Sequence, residues 1–367
     1  MSEKIHITYD EIKSPGVDTV LSRMAEETAL RTGGGAGTAP DGKTSLIHKS
    51  WFYLSLAGLA GALIAWAIFE PFVKDNVNLL DTSRNQLDFS ALMLPALAGL
   101  VGLLIGSMEG ILARNFSRAL KAGGLGFLIG VGGCFVSLMV AGMLTLILIP
   151  LGVQIVGQEA FNDIGHHIGA LAWIVVWRCL AWTVLGMTIG LGPGIALKAK
   201  KLTRNGFLGG MIGGAIGGML FDPISYFISG GASGGRATLS RVIGFGILGA
   251  TTGLMIGLVE MITKDSWLLM TEGPLKGKQF IIYRDPTIIG SSPKSEIYLF
   301  RDPAIEAAHA SIRTIRDAYE IEDMNTAGGT WVNGQRIKRK RLMSGDDIRI
   351  GGARFIYSEK EKKPQKS

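Results

Sequence analysis

Three ionisable residues interrupt long apolar runs, and their spacing defines the first chemistry open to this chain. Arg178 lies about ten residues into one run, Asp222 sits at similar depth in the next, and Arg241 comes early in the one after. An unpaired charge at the centre of a bilayer costs a few kcal/mol, so Arg178 and Asp222 are expected to pair across neighbouring antiparallel helices. Arg241 is expected to join them or to reach the headgroups. Such a pair serves either structure or transport and gating. Glu109 and Glu260, at run ends beside basic residues, are expected to face the membrane interface. Glu159, Asp163, His166 and His167 include metal-ligating types, but adjacent histidines point two ways from a helix. A solvated loop without a metal is the expectation there. The chain has no P-loop, H-E-x-x-H, G-x-S-x-G or Cys/His zinc spacing, so neither an enzyme nor a cofactor is expected.

A second set of charges, Arg336, Lys338, Arg339, Lys340 and Arg341, forms a basic run after an Asn-Gly turn. Near an anionic lipid surface each such residue gains about 1 kcal/mol. A membrane-surface patch is therefore one reading, and an acidic protein partner or a solvated turn are the others. No aromatics interleave with these residues, which argues against nucleic acid.

The elements that must hold these residues follow from composition. Among 367 residues there are 52 glycines and 12 prolines, 47% are hydrophobic and 18% charged, and the net charge is +7. These values exclude collagen, a disordered chain and an ordinary soluble globule. Charges are sparse from 51 to 263, whereas 264 to 367 hold 19 Lys/Arg and 14 Asp/Glu, so a membrane domain precedes a soluble one. Cys134 and Cys179 both fall in apolar runs, which excludes a disulfide scaffold.

Runs near 51–70, 88–112, 122–153, 168–196, 206–229 and 238–263 meet the roughly 20 residues a spanning helix needs, predicting about six spans. Arg114, Arg118 and Lys121, and then Lys198, Lys200, Lys201 and Arg204, mark two short loops as cytoplasmic. Both termini then lie in the cytoplasm, and the expected location is the plasma (inner) membrane, multi-pass. No signal peptide is expected. The polar segment 1–50 contains a short helix after Ser14-Pro15 and a glycine-rich linker, and 359–367 reads as a charged tail.

Spans two, four and six share a G-x-x-I-G word at Gly102/Gly106, Gly186/Gly190 and Gly253/Gly257. Spans three and five also correspond, Gly123, Gly126 and Gly130 matching Gly206, Gly209 and Gly213. The repeat is therefore a helical hairpin present twice and begun a third time. Glycines four apart clear one helix face and let backbones touch. A compact bundle follows. A conduction path lined by bare backbone and self-association into a homo-oligomer are the other readings of the same glycines.

From 264 to 358 the pattern changes to short alternating strands with frequent turns, predicting an all-β sandwich. Its words are Thr287-Ile-Ile-Gly290-Ser291, Ala307-Ala-His309-Ala-Ser-Ile, Asp323-Met-Asn-Thr326-Ala-Gly-Gly-Thr330-Trp-Val-Asn333-Gly334 and Gly345-Asp-Asp-Ile-Arg-Ile-Gly351. In order and spacing they resemble a forkhead-associated (FHA) domain. The fold class is thus an all-α polytopic bundle followed by an FHA-like sandwich.

The resemblance implies a peptide-binding loop end at Ser291, Glu306, His309, Thr326, Ala327, Gly328 and Asn333. FHA domains usually hold phosphothreonine with an Arg, a Ser and an Asn, and those positions here are Ser291, Glu306 and Gly328. His309 in such domains ties loops together. A dianionic phosphate needs charge-assisted donors and would be repelled by a carboxylate, so phosphate-independent binding is expected. The whole chain resembles glycine-repeat membrane proteins with a C-terminal FHA domain. It is expected to act as a membrane-anchored adaptor for a protein partner in signalling or envelope assembly. The alternative is a channel or transporter with a regulatory FHA-like domain.

Overall fold

The computed structural model describes residues 49–73, 92–162, 167–229, 235–315 and 318–360. The expected N-terminal helix and most of the tail lie outside these residues, as do Asp163 and His166. Seven α-helices occur among the described residues, where the sequence predicted about six: α1 (Ser50–Phe69), α2 (Met93–Leu112), α3 (Phe116–Val156), α4 (Gln158–Asn162), α5 (Ile168–Ala196), α6 (Lys200–Ser229) and α7 (Gly235–Thr263). The additional one is the five-residue α4, which lies in the connection read as a loop. Among the described residues five stretches, Ser50–Phe72, Met93–Leu112, Phe116–Val156, Ile168–Ala196 and Thr238–Thr263, are long and apolar enough to cross a membrane. The predicted span at 206–229 falls on α6, whose side chains are described only in part.

The six long helices close a ring: each packs on the next, and α7 returns to α1. The glycine words line its tightest seams. A methyl added at Gly102 would collide with the Gly126 carbonyl, and one at Gly186 with that of Gly210. One turn on, Gly190 meets the Gly206 carbonyl, whereas a methyl at Gly106 would lie 2.6 Å from the Ala122 carbonyl oxygen, with the Gly123 Cα next at 3.4 Å. Ala122 is thus the counterpart of Gly206, and Gly126 that of Gly210. This corrects the match of spans three and five by one residue. The reason is that main-chain oxygens make these contacts, and alanine presents one as readily as glycine does. The face of α3 that meets α2 therefore runs through Ala122, Gly126 and Gly130, with Gly123 at its flank against Ser107 and the Leu103 carbonyl of α2.

The third copy was expected only to begin a hairpin. Instead Gly253 faces the Leu54 carbonyl and Gly257 the Trp51 backbone, so α1 supplies the missing partner of α7. Inside the ring Trp182, Phe221 and Phe245 form a chain with centroids 5.6 and 5.4 Å apart. Leu97, Val101, Ile105, Leu185 and Ile189 fill the space around them. Outside, Leu128, Phe135, Met139, Met143, Leu146 and Ile147 of α3 are exposed.

Arg241 reaches a carboxylate just after α1. It makes a two-pronged bond to Glu70, at 2.6 Å from Nη2 to Oε1 and 3.0 Å from Nε to Oε2. The Arg178 guanidinium carbon lies 5.5 Å from the centroid of the Phe221 ring. The Asp222 side chain lies outside the described residues, so the expected Arg178–Asp222 pair is not defined.

After α7 ends at Thr263, β1 begins at Ser266. Eleven strands follow: β1 (Ser266–Glu272), β2 (Gln279–Ile281), β3 (Thr287–Gly290), β4 (Ile297–Tyr298), β5 (Ala310–Ile315), β6 (Ala318–Asp323), β7 (Thr330–Val332), β8 (Gln335–Ile337), β9 (Arg339–Arg341), β10 (Asp347–Ile350) and β11 (Ala353–Glu359). They make a six-stranded sheet, ordered β2-β1-β11-β10-β7-β8, and a five-stranded sheet, ordered β4-β3-β5-β6-β9. Alternate residues point inward. Leu268, Met270, Ile289, Ile312, Ile321, Ile348, Ile350, Phe355 and Tyr357 are thereby buried between the sheets. The sandwich rests on the turn between α2 and α3. Asn115 Nδ2 donates to Pro293 O at 2.7 Å, and Arg118 Nη1 donates to Glu296 O at 2.7 Å.

Candidate functional site

The loops after β3, before β5 and before β7 converge at one end of the sandwich, and His309 is the post between them. Its ring is fully buried. Nδ1 accepts the Glu306 N–H at 3.2 Å, which makes Nε2 the proton-bearing nitrogen in the neutral ring. Nε2 lies 3.1 Å from Thr326 Oγ1 and 3.3 Å from Gly329 O. Thr326 Oγ1 donates to Asp323 Oδ1 at 2.8 Å, and Thr330 Oγ1 donates to the same oxygen at 2.8 Å. Burial alone would raise the Asp323 carboxyl, but these hydroxyls and the Thr326 N–H outweigh it and hold the group below its ordinary range. His309 joins the loop before β5 to the loop before β7, and Asp323 closes the latter loop on itself. The network is a scaffold for the recognition end, in keeping with the loop-tying role expected of His309.

Glu306 is the residue that the scaffold aims. Its carbonyl accepts the Ser291 N–H at 2.8 Å, and its carboxylate accepts the Ala327 N–H at 2.8 Å. The side chain therefore bridges two loops and places a negative charge among Ser291, Ala327 and Gly328. Trp331, 37% exposed, donates its indole N–H to Gly328 O at 3.2 Å. A side chain begun at Gly328 would come within 3.3 Å of Ala304 O, a close fit. At Gly329, φ is +67°, and a Cβ would strike the Arg336 side chain, so glycine is required there.

Two of the predicted assignments divide differently in space. Asn333 is not brought to the loop end: it sits beyond the opposite end of β7, where it accepts the Asp347 N–H at 2.8 Å and donates to Asp346 Oδ1 at 2.7 Å. The basic run is two edge strands, β8 and β9, rather than a single turn. Arg336 turns into the loop end and donates to Thr326 O at 2.9 Å. Arg339 pairs with Glu320 and Glu322 at 3.1 and 2.9 Å, and Lys340 lies 3.6 Å from Asp346. Lys338 and Arg341 are exposed. Arg336 and Trp331 are loop-end residues that sequence reasoning missed, because a basic run and a strand aromatic carry no mark of which way they turn. No group of three or more metal-ligating side chains occurs among the described residues.

Comparison with known proteins gives the same module. The FHA domain model matches residues 287–351. The chain is 34% identical over 100 residues to an oxoglutarate dehydrogenase inhibitor of Corynebacterium jeikeium, covering 27% of this chain and 69% of that protein. It is 27% identical over 107 residues to the glycogen accumulation regulator GarA of Mycolicibacterium smegmatis, covering 29% of this chain and 67% of that one. The chain thus spans about two thirds of the length of these relatives. A solved FHA domain from Chlamydia trachomatis is 24% identical, covers 26% of this chain and 99% of its own, and has a TM-score of 0.25.

Proposed function

The chain belongs to the FHA-domain family, and from that premise we propose that it is a membrane-anchored adaptor whose sandwich binds a protein partner without requiring phosphothreonine. The observation that carries the second half is the Glu306 carboxylate on the Ala327 N–H. Ser291 and Gly328 flank it in place of the Arg and Asn that a phosphate-binding loop end would use. An incoming phosphate would have to displace an internal carboxylate and would find no arginine fork at Ser291. Arg336 cannot serve as that fork while it holds the Thr326 and Ala327 carbonyls.

Anchoring is supported by the five apolar helices and by the apolar outer face of α3. In water that face would be a large adhesive surface; against lipid it is at home. The positive loops support a cytoplasmic sandwich. Adaptor rather than channel is supported by the buried chain of Trp182, Phe221 and Phe245, which links α5, α6 and α7. The relatives' names, an inhibitor and a regulator, accord with a protein that acts by binding another.

The test uses the full chain in lipid nanodiscs and a library of paired Thr and phosphothreonine peptides. The natural sequence should show no preference for phosphorylation. The triple variant Ser291→Arg, Glu306→Ser, Gly328→Asn should gain at least tenfold, about 1.4 kcal/mol. A natural protein that already prefers phosphopeptides tenfold would refute the proposal.

A further inference from the structure

Where the ends of α1, α2, α3 and α7 meet β2 and β3, a cavity of about 270 Å³ lies between bundle and sandwich. Its walls carry Tyr53, Glu109, Arg118, Glu260, Lys278 and Tyr283, with Lys49, Lys264 and the Arg284–Glu296 pair also on the lining. Most of their groups are matched. Arg118 Nη2 lies 3.2 Å from Glu109 Oε1, and the Tyr283 hydroxyl donates to Glu260 Oε1. Two donors are not. The Lys278 side chain is buried, and its ammonium has no hydrogen bond or ion pair among the described residues, only the Phe280 ring at 5.0 Å. Arg118 Nε is also buried without an acceptor.

A buried guanidinium N–H without an acceptor, beside the ammonium of a largely buried lysine, is a costly arrangement that an entering anion would relieve. The neighbouring acids limit which anion. Glu109 and Glu260 line the same space, so a dianion such as phosphate meets two carboxylates, whereas a single carboxylate meets Lys278 and leaves those acids for a donor at the ligand's other end. The volume lies just below the roughly 300–1,000 Å³ of most small-molecule sites, which restricts the ligand to a compact molecule. We propose that this cavity binds a small carboxylic acid carrying a hydrogen-bond donor, of amino-acid size, with its carboxylate toward Lys278 and Arg118 and its donor toward Glu109 and Glu260. The state of Lys278 is consistent with this. Burial pushes its ammonium down to about 8, with Arg118 adding to the fall and Glu109 and Glu260 opposing it. Because the walls come from both parts of the chain, an occupied cavity would clamp the sandwich to the bundle. The proposal rests on residues other than Ser291, Glu306 and Gly328, so it stands or falls apart from the adaptor reading.

The test is thermal unfolding of the full chain in nanodiscs with the twenty common amino acids, acetate, succinate and inorganic phosphate as separate probes. At least one amino acid should give a saturable rise in Tm, weakened tenfold or more by Lys278→Met and unchanged by Lys276→Met at an exposed neighbour. Should Lys278→Met not fold, the natural protein still decides: the same amino acid must slow acylation of Lys278 by an amine-reactive ester relative to that of exposed Lys276, read by peptide mass spectrometry, the ratio cancelling the ester that the free amino acid consumes. No saturable shift with any amino acid, saturation by phosphate alone, or acylation that the ligand leaves unchanged would overturn the proposal.

Discussion

In the proposed reading Glu306 and His309 divide the work of the loop end, the carboxylate setting what can bind there and the imidazole where the loops stand. Removing the imidazole leaves the Glu306 N–H and the Gly329 carbonyl without their partner in a dry site. Each such loss costs about 1–3 kcal/mol, so His309→Ala should destabilise the module by about 3 kcal/mol. Amide exchange in β5 and β7 should then be on the order of a hundredfold faster, as such a free-energy loss implies. Asp323 gives a pH dependence with a definite sign. Its native carboxyl is held below its ordinary 3.8, so the stability it lends is fully present above that pH and is lost as pH falls through the lower native value. In acid titrations of the folded chain, Asp323→Asn should therefore flatten the loss of sandwich signal below about pH 4. An unchanged acid limb would mean that other carboxylates govern it.

Among the helices, the glycine words separate contact from mere composition. Gly190 and Gly253 abut the carbonyls of Gly206 and Leu54, whereas Gly132 and Gly142 face open space on α3. Gly190→Ala and Gly253→Ala should each lower the Tm of the purified protein by several degrees or prevent its isolation. Gly132→Ala should be neutral or slightly stabilising, because alanine costs less than glycine in a helix. Equal behaviour of the two classes would contradict close backbone packing.

These seams show what a sequence can and cannot reveal. The G-x-x-I-G repeat was legible because bare faces four residues apart leave a periodic trace, and the strands were legible from alternation such as that of β1. The register of α3 was not, since Gly123 stands beside Ala122 and only packing shows that the alanine opposes Gly106. That α1 completes the third hairpin was hidden as well, because Trp51 and Leu54 belong to no glycine word. The strands β8 and β9 were hidden for a related reason. Edge strands tolerate charge, so Arg336 to Arg341 read as a solvated run until cross-strand partners such as Glu320 and Glu322 are in view. The Glu306 position was legible, but the direction of its side chain is a matter of loop geometry. Arg241 meets Glu70 because α1 packs on α7 and brings the end of one helix to the start of the other, which no local pattern encodes.

The fusion of α7 to β1 and the contacts of Asn115 and Arg118 hold a recognition module directly against a bundle. Topology is open to a direct check. In a background with Cys134 and Cys179 replaced by Ala, the variant Glu272→Cys, at an exposed position, should react with an impermeant maleimide in inverted membrane vesicles. It should not react in right-side-out vesicles; labelling from the outside would reverse the assigned orientation.

Whether the loop end ignores phosphorylation is decided by capture of partners on the full chain in nanodiscs, from a cytoplasmic extract divided into phosphatase-treated and untreated halves. The Glu306 geometry predicts the same partner from both, held less firmly when the loop end is altered by Ala327→Pro, which removes the N–H that Glu306 grips. A partner captured only from the untreated half would contradict it and make the loop end a reader of phosphorylation.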